Sequence, residues 1–222
     1  MLIISDIDGT LTDTNTVDTD CFLASLKTVA GIDLGSADWN QFPEATDAAI
    51  VHELLKERPS IEEKAMERKI RTDFVTRLTR EASVNPDRFR PLPGAVEFID
   101  SVRSHSRYEV ALATGGWAES AQIKLRMAGI DADGLGMATS SDRNRRAEII
   151  QLAVERSNRT DFPAVYLGDG LWDLKAAREL ELEFIGLGTR SSSLLAAGAT
   201  AVFPDFRNRY SILNCIENLK SL

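Results

Sequence analysis

Cysteine, histidine and aromatic residues are scarce in this chain. Two cysteines and two histidines occur in 222 residues. Cys21 and Cys215 lie far apart, with no CxxC spacing and no histidine pair beside them. That pattern argues against a zinc site. It predicts two free, buried thiols in a reducing compartment. No apolar run approaches the ~18 residues that a membrane span needs. Basic residues are the minority, 26 against 34 acidic ones, for a net charge of -8. The imbalance excludes a general nucleic-acid binder but leaves room for a local basic site facing an anionic substrate. Met1 to Ser5 run straight into an apolar stretch and an acidic motif, which leaves no room for a signal peptide. A cytoplasmic location is therefore expected. Repeats and low-complexity segments are absent as well.

What is present is an alternation of short apolar runs and helical periodicities. Leu2-Ile3-Ile4 is apolar on both faces and reads as a buried parallel strand ending at Asp6. Further strands are expected over Tyr108–Ala113, Ala164–Leu167, Phe184–Leu187 and Ala201–Phe203. Helices are expected over 95–104, 118–128, 145–156, 171–180 and 209–220, with Gly129 stopping the second of these. Strands alternating with helices predict a doubly wound, Rossmann-like parallel sheet.

One stretch breaks the alternation. Residues 14 to 90 look wholly helical, apart from a loop from Gly35 to Pro43. A helix over 18–30 has Phe22, Leu23, Leu26 and Val29 on one face and Gly31 as its stop. A second runs from Thr46 to Lys56. Ser60 and Glu63 have the spacing of a capping box, followed by a long helix whose stripe is Ile61, Ala65, Ile70, Phe74, Val75 and Leu78. The ten basic and seven acidic residues from Lys56 to Arg90 are interspersed, as on a solvated face. The expected organisation is an α/β core of residues 1–13 and 91–222 with a helical cap, 14–90, inserted after the first strand. The crevice between them is the natural ligand site.

Three expected strand ends carry polar groups: Asp6 and Asp8, Thr114, and Asp169 followed by Asp173. Ligands of open parallel sheets bind beyond such ends. Clustered carboxylates suit Mg²⁺, which takes oxygen ligands, waters and phosphate oxygens. Two carboxylates ending a buried strand call for a counter-charge.

The segments Asp6-Ile7-Asp8-Gly9-Thr10-Leu11, Thr114 and Gly168-Asp169-Gly170-Leu171-Trp172-Asp173 resemble the signature set of the haloacid dehalogenase-like (HAD) hydrolase superfamily. Their order and spacing fit, and the all-helical stretch lies where that family places its cap. The resemblance is greatest to the branch that holds phosphoglycolate phosphatase and β-phosphoglucomutase. It implies a Mg²⁺-dependent phosphomonoester hydrolase acting on a small phosphorylated metabolite, phosphoglycolate being one candidate. Asp6 would be the nucleophile, forming an aspartyl-phosphate. Asp8 would be the acid/base through its side chain and a metal ligand through its carbonyl. Asp6 and Asp169 complete the implied metal set, and Asp173 supports it.

Gly9 and Thr10, Thr114 and Gly115 would surround the phosphate, with Gly9 allowing a tight turn and Gly115 near a helix start. The family's cation is usually a Lys. Here Arg146, which precedes Ala-Glu-Ile-Ile, takes its place, with Arg145 as second choice; Arg can clamp phosphate with two N–H groups. In the cap, Asp47 is the candidate specificity residue, with Thr46 as a helix cap and His52 on the surface. Asp13 reads as an N-cap or hinge, and Trp117 and Trp172 as wall or core.

Asp8 argues against a dehalogenase or a phosphonatase, both of which lack that second carboxylate; the latter also needs a Schiff-base lysine in the cap, where Lys56, Lys64 and Lys69 occur. A phosphoglucomutase-like transferase keeps every motif and stays open, as does, more remotely, a non-catalytic binding protein. Nucleic-acid and membrane partners are not expected, and no oligomeric state is implied.

Overall fold

A computed structural model describes residues 1–35, 38–157, 163–189 and 191–219. Its centre is a six-stranded sheet in which every pairing is parallel. The strands are β1 (Leu2–Ser5), β4 (Glu109–Ala113), β5 (Gly136–Ala138), β6 (Ala164–Gly168), β7 (Glu183–Leu187) and β8 (Ala201–Phe203). Their order is β5-β4-β1-β6-β7-β8. β2 (Thr12–Asp13) and β3 (Arg90–Pro91) form a separate antiparallel pair.

The order follows from β1 being apolar on both faces. Leu2 and Ile4 point into one core with Ile149 and Ile150 of α6 (Arg146–Arg156) and Leu174 of α7 (Leu171–Glu179). Met1 and Ile3 point into the other, with Phe98 of α4 (Ala95–Arg103), Leu125 of α5 (Ala118–Met127) and Ile212 of α9 (Arg209–Asn218). Helices cover both faces because a two-sided apolar strand is stable only between two layers. β1 has β4 on one side and β6 on the other. The direction of winding reverses there, which opens a crevice at its carboxyl end. Register delivers the site: Ser5 lies opposite Leu112 and Leu167, so the segments after β1, β4 and β6 leave the sheet together.

The helices between β2 and β3 have their own core. They are α1 (Asn15–Ser25), continued by a π-helical turn at Leu26–Ala30, then α2 (Asp47–Leu55) and α3 (Ser60–Val84). Phe22, Phe74, Leu78 and Val51 pack there, and Trp117 from the loop after β4 inserts among them. Phe22 and Phe74 each lie within 5.8 Å of the Trp117 ring, centroid to centroid. Gly31 ends the first helical segment in the left-handed conformation, as its position predicts.

Some local expectations fail. Ser60 makes no capping bond, because the helix already begins at Ser60, with Pro59 at the cap position and its carbonyl accepting from Glu62 and Glu63. The stripe of α3 starts only at Ile70, and Ile61 is 80% exposed. Periodicity marks a face, not the point along a long helix where a partner begins. The expected loop from Gly35 to Pro43 contains a 3₁₀ turn at Trp39–Gln41, and its residues 36–37 lie outside the described residues. The three-residue β5 and the helix α8 (Ser191–Ala196) were too short for a periodic signal. The expected helix end at Lys220 also lies outside the described residues. Cys21 is buried, which pushes its thiol up to about 11, whereas Cys215 is only half-buried. Among the described residues no helix is long and apolar enough to cross a membrane.

Candidate active site

The chain leaves β1 through a tight turn. The Ile7 carbonyl accepts from the backbone N–H groups of Leu11 and Thr12, both at 2.9 Å. Gly9 sits in the turn at φ 75°. A Cβ there would lie 2.2 Å from Oδ2 of Asp169 and from Nδ2 of Asn15. The left-handed backbone and the close approach both require glycine. Thr10 does not reach the cleft: its side chain is fully buried and its hydroxyl has no partner.

Asp6 is 3% exposed, at the floor of the cleft. Asp6, Asp169 and Asp173 each offer a carboxylate oxygen within 4.8 Å of the other two. Burial, reinforced by Asp173, pushes Asp6 well above the usual carboxylate range, against the pull of Arg146. Such a set of hard oxygens, whose mutual repulsion Arg146 relieves only in part, fits a divalent cation. Asn15 donates to Oδ2 of Asp169 at 3.0 Å.

Asp173 has both oxygens engaged. Oδ1 accepts from Arg146 Nη1 at 2.7 Å and from the Tyr166 hydroxyl at 2.9 Å, and Oδ2 accepts from the Gly170 N–H at 2.9 Å. Gly168 permits this approach, since a Cβ there would strike the Asp173 side chain at 2.7 Å.

Arg146 is the buried cation. Its Nη1 donates to Asp6 Oδ1 at 3.2 Å, its Nη2 to the Ala45 carbonyl at 3.2 Å, and its Nε has no partner. Burial alone would lower its pKa, but Asp173, Tyr166 and Asp6 raise it well above its ordinary value. Arg145 faces the other way, half-exposed among Glu44, Glu148 and Glu179. Adjacent residues on a helix point about 100° apart, so only one of the pair can face the sheet.

The loop after β4 forms the cleft's other edge. Thr114 Oγ1 accepts from the Gly116 N–H at 3.1 Å. A Cβ on Gly115 would lie 2.4 Å from Arg146 Nη2. The helical segment docks on the same loop: Asp47 donates its N–H to the Gly115 carbonyl at 2.8 Å and accepts from the Trp117 N–H at 2.9 Å. Thr46 caps α2 through the Ala49 N–H and donates to the Asn144 carbonyl. Asp47 lines the cleft, and burial followed by the charge of Asp18 pushes it up to about 8.

Asp8 turns away from the three-carboxylate cluster. Its Oδ2 accepts from Lys124 Nζ and its Oδ1 from the Thr14 hydroxyl, at 2.7 and 2.5 Å. Lys124 is fully buried and also pairs with Asp18 of α1. Desolvation alone would lower its pKa, but Asp18 and Asp8 together raise it. Desolvation also pushes Asp18 up to about 6.

Lys124, Asp18, Asn15 and Tyr166 escaped the sequence reading. Lys124 lies four residues from Ser120 on the buried face of α5, where a periodicity count expects apolar residues. Asn15, Asp18 and Phe22 share a helical spacing, and that run of polar positions beside a buried aromatic was the available signal. Asp13 is an exposed strand residue opposite Arg90 at the core–helix junction, and the N-cap position falls to Thr14. His52 pairs with Glu63 on the surface. Trp117 is core, and Trp172 lines the cleft.

The model of the haloacid dehalogenase-like hydrolase family matches residues 1–180. The chain belongs to the haloacid dehalogenase-like hydrolases. No curated protein matches it in sequence. Solved HAD structures share its fold at low identity. A hydrolase from Pseudomonas syringae is 22% identical with a TM-score of 0.73, covering 94% of this chain and 97% of that one. The β-phosphoglucomutase of Clostridium difficile is 15% identical with a TM-score of 0.74, covering 98% of both. CbbY from Rhodobacter sphaeroides, solved in complex with phosphate, is 19% identical with a TM-score of 0.68, covering 92% and 94%.

Proposed function

We propose that this HAD-like hydrolase is a Mg²⁺-dependent phosphatase of small phosphomonoesters. The observation that carries the reading is a buried carboxylate, Asp6, lying 3.2 Å from a buried guanidinium of Arg146 inside a cluster of three acids. A carboxylate can attack a phosphoryl group only if like-charge repulsion is relieved. When bound by Asp6, Asp169 and the Asp8 carbonyl, Mg²⁺ supplies positive charge against the phosphoryl oxygens.

In this reading an Asp6 oxygen forms a bond to phosphorus as the ester P–O bond breaks. Asp8 is the proposed acid that protonates the departing alkoxide, which requires its carboxyl to turn from its Lys124 and Thr14 contacts toward the leaving group. Asp8 then takes a proton from water, whose oxygen attacks the aspartyl-phosphate, and the P–O bond to Asp6 breaks to release inorganic phosphate. Arg146 orients the phosphoryl group, with Thr114 and the Gly115 N–H at its edge. Asp173 holds Arg146 in place. The proposed division is a core of residues 1–13 and 91–222 under a cap of residues 14–90, with the β2–β3 pair at the junction.

The phosphate bound to CbbY supports a phosphoryl site in a protein of this fold. A mutase keeps the same chemistry and differs in which hydroxyl meets the aspartyl-phosphate. The test is release of phosphate from p-nitrophenyl phosphate. Activity is expected with Mg²⁺, lost with a chelator and restored by added Mg²⁺; turnover indifferent to chelation would overturn the metal assignment. Accumulation of a sugar bisphosphate with little free phosphate would favour the mutase.

Gly9→Ala offers a second check. The φ of 75° and the 2.2 Å approach to Asp169 predict a stability loss of about 1–3 kcal/mol. Displacing Asp169 should also cut turnover by roughly 10²-fold. Denaturant unfolding and initial rates measure the two effects separately.

A further inference from the structure

Given the phosphatase reading above, the phosphoryl group sits over Asp6, and the alcohol half of the ester lies against the cap side of the cleft. That side is built from Phe22, Trp39 and Ile50, which are apolar, and Asn15, Asp18 and Asp47, which are polar. Its ionisable groups are both carboxyls. Among the described residues that line the cleft, the single cation is Arg146, already engaged with Asp6 and Asp173 at the phosphoryl end. The buried, unpartnered Nε of Arg146 is a donor left for that same phosphoryl group. Lys124 is nearby, but it is fully buried and held between Asp8 and Asp18.

A second negative charge on the leaving group would enter a partly desolvated wall where Lys124 is already taken up by Asp8 and Asp18 and where, among the described residues that line the cleft, no cation but Arg146 is present. A charge taken out of water with no partner of opposite sign is strongly disfavoured. The wall already disfavours a carboxylate of its own: desolvation, and then the charge of Asp18, push Asp47 up to about 8. A neutral polyol meets acceptors instead, and an ammonium meets two carboxyls and the aromatic rings of Trp39 and Trp172. A wall that attracts one class and repels another discriminates by both means.

We propose that the substrate is a phosphomonoester whose alcohol bears no negative charge, a polyol phosphate or an amino-alcohol phosphate. Phosphorylated carboxylic acids and bisphosphates are disfavoured, which sets aside the phosphoglycolate that the family resemblance suggests.

The test compares kcat/KM with Mg²⁺ at pH 7 for glycerol 3-phosphate and O-phosphoethanolamine against 2-phosphoglycolate and 3-phosphoglycerate, with p-nitrophenyl phosphate as reference. The first two are expected to exceed the two carboxylates by about tenfold or more. Equal rates, or a preference for either carboxylate, would overturn the proposal while leaving the phosphatase reading intact. No turnover of any ester, the aryl ester included, would instead remove the reading on which it rests. Asp47→Lys supplies the missing cation and should raise the carboxylate esters relative to glycerol 3-phosphate by about tenfold. An unchanged ratio in the folded variant would count against the wall as the cause. If circular dichroism shows the variant unfolded, the wild-type ranking decides.

Discussion

Asp6→Asn is expected to abolish phosphate release, by a factor on the order of 10⁴–10⁶ in kcat, and to prevent formation of a phosphoenzyme. An amide has the shape of the carboxylate but not its nucleophilic oxygen. The fold should survive, because Asp6 is a source of repulsion as well as of pairing. Arg146 keeps its 2.7 Å contact with Asp173 when the charge on Asp6 is gone.

The direction of the stability change can be worked out in metal-free buffer. The Asp6 pKa is raised in the folded state by burial and by Asp173. Its contribution to stability is therefore fully present below the unfolded value of 3.8 and is lost as pH rises through the folded value. Asn has no such loss. The melting temperature of the variant should match or exceed that of the wild type, with the gap widening above about pH 4. Phosphate release with Mg²⁺, acid-stable incorporation of labelled phosphate and thermal melts across pH check the three parts. An Asn variant that retained turnover would remove Asp6 as nucleophile.

Lys124→Met is expected to cost much of the stability of the site. Its ammonium is fully buried and pairs with Asp8 from the turn after β1 and Asp18 from α1. Methionine fills similar volume but leaves two largely buried carboxylates without a counter-charge. Breaking a buried pair from one side costs about 3–5 kcal/mol. The cost should be smallest in acid, where the carboxylates protonate. The folded pKa of Asp18, already about 6, moves further up without the lysine, so stability is present at low pH and lost as pH rises through that value.

Replacing Asp18 as well, in Lys124→Met/Asp18→Asn, removes one of the stranded charges and should restore part of the stability. A simple packing defect would not be rescued in that way. Activity should fall by about 10²-fold or more, because Asp8 loses the partner that aims it, in the range expected when an acid/base is misplaced. Denaturant unfolding of the two variants at pH 5 and pH 8, with rates alongside, measures both effects. Equal stability of wild type and Lys124→Met at pH 8 would show that the pairing contributes nothing.

These two residues also mark how far the sequence could be read. Asp6 was legible because a short strand, apolar on both faces, ends in Asp-x-Asp-Gly-Thr. A buried strand has to lie in the middle of a sheet, and a carboxylate at its end has to meet a counter-charge. The same logic picked out Asp169, whereas Arg146 was reached through the family resemblance, as the residue before Ala-Glu-Ile-Ile. It did not extend to Lys124, which sits on the inward face of an ordinary amphipathic helix, where a lysine normally marks the solvent side. Its partners are 106 residues earlier in the case of Asp18 and 116 in the case of Asp8. Local spacing carries no information about contacts at that range.

The sequence by itself determined the parallel sheet, the inserted helices and the acids at the strand ends, because periodicity and strand-end chemistry are local properties. Only the tertiary structure decided which neighbouring arginine faces Asp6 and that Thr10 is buried away from the cleft. It also decided that Asp173 holds Arg146, and that Lys124 of α5 ties the turn after β1 to α1. Each of those is a matter of which side chains share one small desolvated volume. That volume exists only once β1, β4 and β6 are in register and the helices close over their ends.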